Sequence, residues 1–143
     1  MADQVDLLVL GAGSGGIATA NRASSYGAKV VVAEHGRLGG TCVNVGCVPK
    51  KVMWFGASLA HAVDDAPGYG INVKRDGFDW AVLKEGRDAY VARLNQIYAN
   101  TLAGNSVEHV QGHARFLDSH RVSIDGREIS AEHVLIATGG RPT

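Results

Sequence analysis

The sequence predicts an α/β fold with a parallel sheet, long helices and a small antiparallel β segment. Three observations carry that expectation. Val5 to Leu10 is a short, largely apolar run of strand length. The stretch Gly11-Ala12-Gly13-Ser14-Gly15-Gly16 follows and opens a helical segment that runs to about Tyr26 and ends at Gly27. Lys29 to Glu34 is then a second strand, rich in valine. Strand, helical crossover and strand make a βαβ unit, whose strands run parallel with a right-handed connection.

The later elements follow from the same signals. A helix is expected from about Cys47 to Asp65, with Val52, Phe55, Leu59 and Val63 on one apolar face. Pro67-Gly68 and Gly70 break the chain. Asp79 can cap a long helix whose buried stripe is Trp80, Leu83, Tyr90, Leu94, Ile97 and Leu102, closed by Gly104-Asn105. Short strands are expected at Val107–Gln111, His113–Leu117, Arg121–Ile124 and His133–Thr138, with a turn at Asp125-Gly126.

Composition excludes several classes of function. The 14 basic residues balance the 14 acidic ones, so no net charge draws the chain to nucleic acid or an anionic membrane. No apolar run approaches membrane-spanning length. The acidic start, Met1-Ala2-Asp3-Gln4-Val5-Asp6, lacks the basic region and cleavage site of a signal peptide, which makes the cytoplasm the expected location. The 143 residues hold two cysteines, Cys42 and Cys47, too close together for a stapling framework. None of the six histidines forms a ligand box with them, so no metal is expected and redox chemistry is the better use of the pair.

Gly11, Gly13 and Gly16 form a G-x-G-x-x-G set between a strand and a helix, the context of a Rossmann-like dinucleotide site. Gly11 permits the tight turn, Gly13 lets the backbone approach a pyrophosphate, and Gly16 lets helix pack on strand. The helix N-terminus offers free N–H groups to the phosphates. Glu34, ending the second strand, is placed to accept hydrogen bonds from ribose hydroxyls. These features do not separate FAD from NAD.

The cysteines lie in Gly39-Gly40-Thr41-Cys42-Val43-Asn44-Val45-Gly46-Cys47-Val48-Pro49-Lys50-Lys51. Five residues of ideal helix rotate by about 500° and rise by about 7.5 Å, so a bridge between them requires a distorted backbone. Gly46 supplies freedom to bend, and Pro49 suits the first turn of a helix starting near Cys47. Cys47 then sits at a helix N-terminus near Lys50, which favours its thiolate, and Cys42 lies just outside the helix, freer to attack an external disulfide.

These residues closely resemble the flavoprotein (pyridine nucleotide) disulfide reductases. The match runs from Gly11–Gly16 through Gly40–Cys47 to Ala137-Thr138-Gly139-Gly140. Within that family, Val48-Pro49-Lys50-Lys51-Val52-Met53-Trp54, Asp88-Ala89-Tyr90 with Tyr98, and Gly112-His113-Ala114-Arg115-Phe116 look like the glutathione reductase branch. The resemblance implies FAD as the cofactor held here, with Gly11, Gly13, Ser14, Gly15, Gly16, Glu34, Gly40, Thr41, Cys42, Lys50, His113, Ala114, Thr138 and Gly139 as its contacts. It implies that Cys42 attacks the substrate disulfide, that Cys47 is the thiolate against the flavin, and that Lys50 stabilises flavin charge. Ser14, Asn21 and Tyr98 would face oxidised glutathione. Some members carry Arg where this chain has Asn21. Tyr98 also lies at helical spacing with Leu94 and Leu102, so core packing is the competing role.

The resemblance further implies an NADPH-binding domain and a dimer-interface domain, the latter supplying an acid/base histidine to the partner of a homodimer. Neither is expected within residues 1–143, which correspond to the N-terminal part of an FAD-binding domain. No second G-x-G-x-x-G is present, and Arg141-Pro142-Thr143 follows directly on a strand end. The alternatives are a reductase of a related disulfide, such as glutathione amide or trypanothione, and an FAD-binding module without turnover.

Overall fold

The computed structural model describes residues 3–140. Arg141-Pro142-Thr143 and the first two residues, on which part of the N-terminal and end-of-chain expectations rest, lie outside the described residues.

The elements are β1 (Asp3–Leu10), α1 (Ser14–Ser25), β2 (Val30–Glu34), α2 (Gly40–Asn44), α3 (Cys47–Asp65), a 3-10 turn (Ala66–Tyr69), α4 (Trp80–Gly104), β3 (Glu108–Gln111), β4 (Ala114–Phe116), β5 (Arg121–Ile124) and β6 (Arg127–Ile136). The strands form one six-stranded sheet in the order β3-β2-β1-β6-β5-β4. Its β3, β2, β1 and β6 run parallel, and β4 and β5 continue from β6 in antiparallel fashion. The α/β class with a small antiparallel segment is therefore as expected.

Period-2 alternation over Leu7–Leu10 and Val30–Ala33 sorts the core into two clusters. Val5, Leu8, Leu10, Val31 and Ala33 pack with Val122, Ile124, Ile129 and Ala131 in one cluster. Val9, Val30 and Val32 pack with Ile17 and Ala20 of α1 and Leu102 of α4 in the other. β2 is buried from Val30 to Ala33, which is why it reads as a continuous apolar run. Full burial of Leu8, Val9, Val30, Val31 and Val32 stabilises by about 1.5–3 kcal/mol each. Gly27 (φ +90°) ends α1 in the left-handed conformation, as its place after Tyr26 predicts.

Two expectations need correction. First, β6 begins at Arg127, not His133. Its first half pairs with β5 across the Asp125-Gly126 turn, where both residues have positive φ (45° and 97°), as a two-residue hairpin requires. Second, the helical stripes are not buried. α3 has no buried residue, and Phe55 and Leu59 are exposed. In α4, Trp80, Tyr90 and Ile97 are exposed, and the buried residues are Val91 and Leu102. The physical reason is placement: α3 packs against α2, α4 and the 3-10 turn rather than on the sheet. The cap at Asp79 is as expected, its Oδ1 accepting from the N–H groups of Ala81 (2.8 Å) and Val82 (3.2 Å). Cys42 lies outside α3, as expected, in a short helix of its own, Gly40–Asn44.

Candidate functional site: a glycine turn against a cysteine pair

Because β1, β2, β3 and β6 are parallel, their C-terminal ends share one edge of the sheet. Gly11, Glu34, His113 and Thr138 all follow or end those strands, so residues from four segments converge there. This is the edge where open α/β sheets bind ligands.

Each glycine of the turn has its own constraint. Gly11 (φ +105°) makes the left-handed turn, and a Cβ there would collide with the carbonyl oxygen of Ala137. Thr138 Cα lies 3.2 Å from the same Cβ position, beside the turn. Gly16 is buried, and a Cβ on it would run into the carbonyl oxygen of Gly11. Gly13 differs. Its backbone (φ −81°, ψ −169°) is extended, a conformation open to any residue, and a Cβ would meet only Gly40 Cα, at 3.8 Å. The turn therefore does not demand glycine at position 13. What remains is the approach of a ligand. α1 begins at Ser14 with no capping side chain and no acidic residue in its first turn. Its first N–H groups lack intrahelical partners, and Ser14 and Gly15 are exposed. The turn thus fits the phosphates of a dinucleotide.

Glu34 latches this turn. Its Oε2 accepts from Ala12 N–H at 2.8 Å and its Oε1 from Gly36 N–H at 2.7 Å. Burial, the largest influence, pushes its pKa up, but the N–H groups of Ala12 and Gly36 and nearby His35 outweigh it, and the carboxyl is held below its ordinary 4.5. A depressed carboxylate contributes stability above its unfolded pKa and loses it as pH falls through the folded value. Glu34→Gln removes that charge and turns an NH2 toward one of the donors. It is expected to cost about 1–3 kcal/mol at neutral pH and to flatten the loss of stability below about pH 4.5. Thermal melts of parent and variant across pH check both. Beside Glu34, the rings of His35 and His113 stack with centroids 4.6 Å apart.

The cysteine segment packs directly on the glycine turn. Gly40 (φ +60°) lies so close that a Cβ on it would stand 2.7 Å from Gly13 Cα. Gly39 N–H donates to the Ala12 carbonyl at 2.8 Å. Dinucleotide motif and cysteine motif, 27 residues apart between Gly13 and Gly40, therefore form one site.

The break between the cysteines is as geometry requires. α2 ends at Asn44, and α3 starts at Cys47 after Gly46 (φ −121°, ψ −113°). A Cβ on Gly46 would lie 2.9 Å from the Thr41 carbonyl oxygen and 3.4 Å from Cys42 Cα. Gly46 thus serves by close approach as well as by flexibility, folding the start of α3 back over Cys42. The Cys42 thiol is pushed up from its ordinary 9.0, first by a hydrogen bond with the Cys47 side chain, then by desolvation and the Cys47 charge. The Cys47 backbone and Lys50 pull it down. Cys42 is half-buried and Cys47 exposed, so exposure alone does not mark Cys42 as the outer thiol. Pro49 and the exposed Lys50 occupy the first turn of α3.

Residues 5–143 fit the profile of the family described as pyridine nucleotide-disulphide oxidoreductase. The chain belongs to that family. A protein named glutathione reductase, from Schizosaccharomyces pombe, is 47% identical over 145 residues, covering 96% of this chain. The chain spans 31% of that relative's length.

Two expected substrate residues have other partners in this pyridine nucleotide-disulphide oxidoreductase. Asn21 Oδ1 accepts from Asn105 Nδ2 at 2.8 Å, tying α1 to the end of α4. Tyr98 packs against the cluster of Ile17, Ala20 and Leu102, which accounts for its helical spacing. Sequence reasoning assigned no role to Asn44 or Asn95. Asn44 Nδ2 donates to the carbonyls of Leu38 (3.0 Å) and Gly40 (2.9 Å), and Asn95 Nδ2 donates to Leu38 O (2.8 Å) and Asn44 Oδ1 (3.0 Å). Asn44 lay inside the cysteine motif, but nothing marked Asn95.

Proposed function

We propose that this chain is the FAD-binding, disulfide-bearing part of an NADPH-dependent glutathione-disulfide reductase. The observation that carries the proposal is the contact of Gly13 with Gly40, which sets a dinucleotide turn against a cysteine pair. The name of the 47% identical relative supports glutathione as the substrate.

FAD would lie along the edge of Gly11, Gly13, Ser14, Gly15, Gly16, Glu34, Gly40, Thr41, Cys42, Lys50, His113, Ala114, Thr138 and Gly139. When bound, it supplies the electron pair, drawn from NADPH, that reduces the Cys42–Cys47 disulfide. The Cys42 thiolate attacks one sulfur of oxidised glutathione. A Cys42–glutathione bond forms, the substrate S–S bond breaks, and the leaving thiolate takes a proton. The Cys47 thiolate then attacks Cys42 Sγ, restoring the protein disulfide and releasing the second glutathione thiolate. The upward push on Cys42 favours its thiol over its thiolate, so a nearby base that takes its proton would assist the attack. A histidine of a later domain on the partner of a homodimer fits that role. The exposed apolar residues of α3 and α4 fit a complete protein in which further chain covers them. Among the described residues no helix is long and apolar enough to cross a membrane, and we place the reaction in the cytoplasm.

The test is NADPH oxidation by the intact protein with equal concentrations of oxidised glutathione, glutathione amide disulfide and trypanothione disulfide. Oxidised glutathione is expected to show the highest kcat/KM, by about tenfold or more, roughly 1.4 kcal/mol in transition-state binding. Preference for another disulfide overturns the substrate. Flavin binding without turnover on any of them favours a binding module.

A further inference from the structure

Asn95 lies where α4 meets α2, and it does more than fill that contact. It and Asn44 are both half-buried. One of its Nδ2 bonds goes to Leu38 O, immediately before the cysteine segment, and the other to Asn44 Oδ1 within it. Asn44 closes the same segment on itself through Leu38 O and Gly40 O. Cys42 sits between Gly40 and Asn44, inside this ring. Cys47 has a different attachment. It starts α3, which rests on α4 where Gly56 meets Leu83; a Cβ on Gly56 would lie 3.2 Å from Leu83 Cδ1. Both thiols are therefore referenced to α4, Cys42 through a pair of amides and Cys47 through helix packing.

We propose that Asn95 is a positioning residue that holds the Cys42 helix against α4 so that the Cys42 thiol stays beside Cys47, and that it thereby sets the dithiol–disulfide equilibrium. The inference rests on the reading of Cys42 and Cys47 as a redox couple. Closing an intramolecular S–S bond depends on the effective concentration of the two thiols. Freeing α2 lowers that concentration and disfavours the disulfide. In exchange with glutathione, the two protein thiols give up two electrons and two protons as their S–S bond forms. The S–S bond of oxidised glutathione breaks and takes up both, giving two glutathione thiols.

Asn95→Leu keeps the γ-branched shape, is somewhat larger and has the higher helix propensity, and it removes both donors. Asn95→Asp is nearly isosteric and faces two oxygens with acceptors only. Intact parent and both variants would be equilibrated anaerobically in graded reduced and oxidised glutathione. Rapid alkylation and the mass of the Cys42–Cys47 peptide then give the oxidised fraction, with circular dichroism as the check on folding. The equilibrium constant for disulfide formation is expected to fall about tenfold in N95L, a couple roughly 30 mV more oxidising, and at least as far in N95D. Parent-like constants in both folded variants overturn the proposal. A parent pair that does not exchange at all overturns the functional reading and this inference with it.

Discussion

Gly13→Val is expected to give a folded protein that does not retain flavin. The first half of that expectation comes from the backbone. Gly13 has extended dihedrals, and its Cβ position is in ordinary contact with Gly40 Cα at 3.8 Å. The second half comes from what lies beyond. Valine's two γ-methyl groups extend past that position, next to the uncapped start of α1, where a pyrophosphate would take the first N–H groups. Loss of that approach is expected to weaken FAD binding at least a hundredfold, about 2.7 kcal/mol. Gly13→Ala separates blocking from misfolding, since its single methyl fits the space. It is expected to fold and bind FAD with an intermediate affinity. Gly16→Val should fail differently, because its Cβ meets the Gly11 carbonyl oxygen and the fold itself is disturbed. Flavin absorbance of the purified intact variants, with circular dichroism beside it, separates the three. Normal flavin content in G13V would remove the assignment of this turn.

Much of the fold was legible because local chemistry and global topology agree in its first 34 residues. Strand β1, the glycine turn, α1 and β2 each carry their own signal, and the sheet places them as a βαβ unit. The end of the chain was less legible. Arg127 to Glu132 is mostly polar, which hid the start of β6, although Ile129 and Ala131 alternate inward as a strand requires. The stripes of α3 and α4 were legible as periodicity and misread as burial. Spacing shows that a helix has an apolar face, but it does not show what covers that face.

The site divides in the same way. Gly11 and Gly16 were correctly explained because the left-handed φ of Gly11 and the approach of Gly16 to the Gly11 carbonyl are local, although the Ala137 carbonyl that also excludes a Cβ at Gly11 is not. The contact of Gly13 with Gly40 joins two distant segments, and no pattern within either announces it. Gly46 suggested a bend, but its close approach to Thr41 and Cys42 needs the fold. Asn95 was invisible for a simpler reason. A single amide on a long helix looks the same in sequence whether it faces water or, as here, the carbonyl of Leu38.

The division of labour between the cysteines is the second large effect, and it is not settled by accessibility. Cys47 is the more exposed thiol and Cys42 the one pushed up by its neighbour. In the proposed reaction Cys47 would face bound flavin, and Cys42 would make the bond to substrate. Either cysteine changed to serine should reduce NADPH-dependent turnover to background, since a complete cycle needs both sulfurs. The two variants should stall at different points. In C47S the bond between Cys42 and glutathione can form, but no thiolate remains to break it. In C42S no attacking thiol is left. The deciding measurement is the intact mass and peptide map of flavin-loaded, reduced C42S and C47S after brief exposure to oxidised glutathione. One glutathione on Cys42 per C47S chain and none on C42S is the predicted result. Glutathione on Cys47 of C42S, with C47S unmodified, would contradict it.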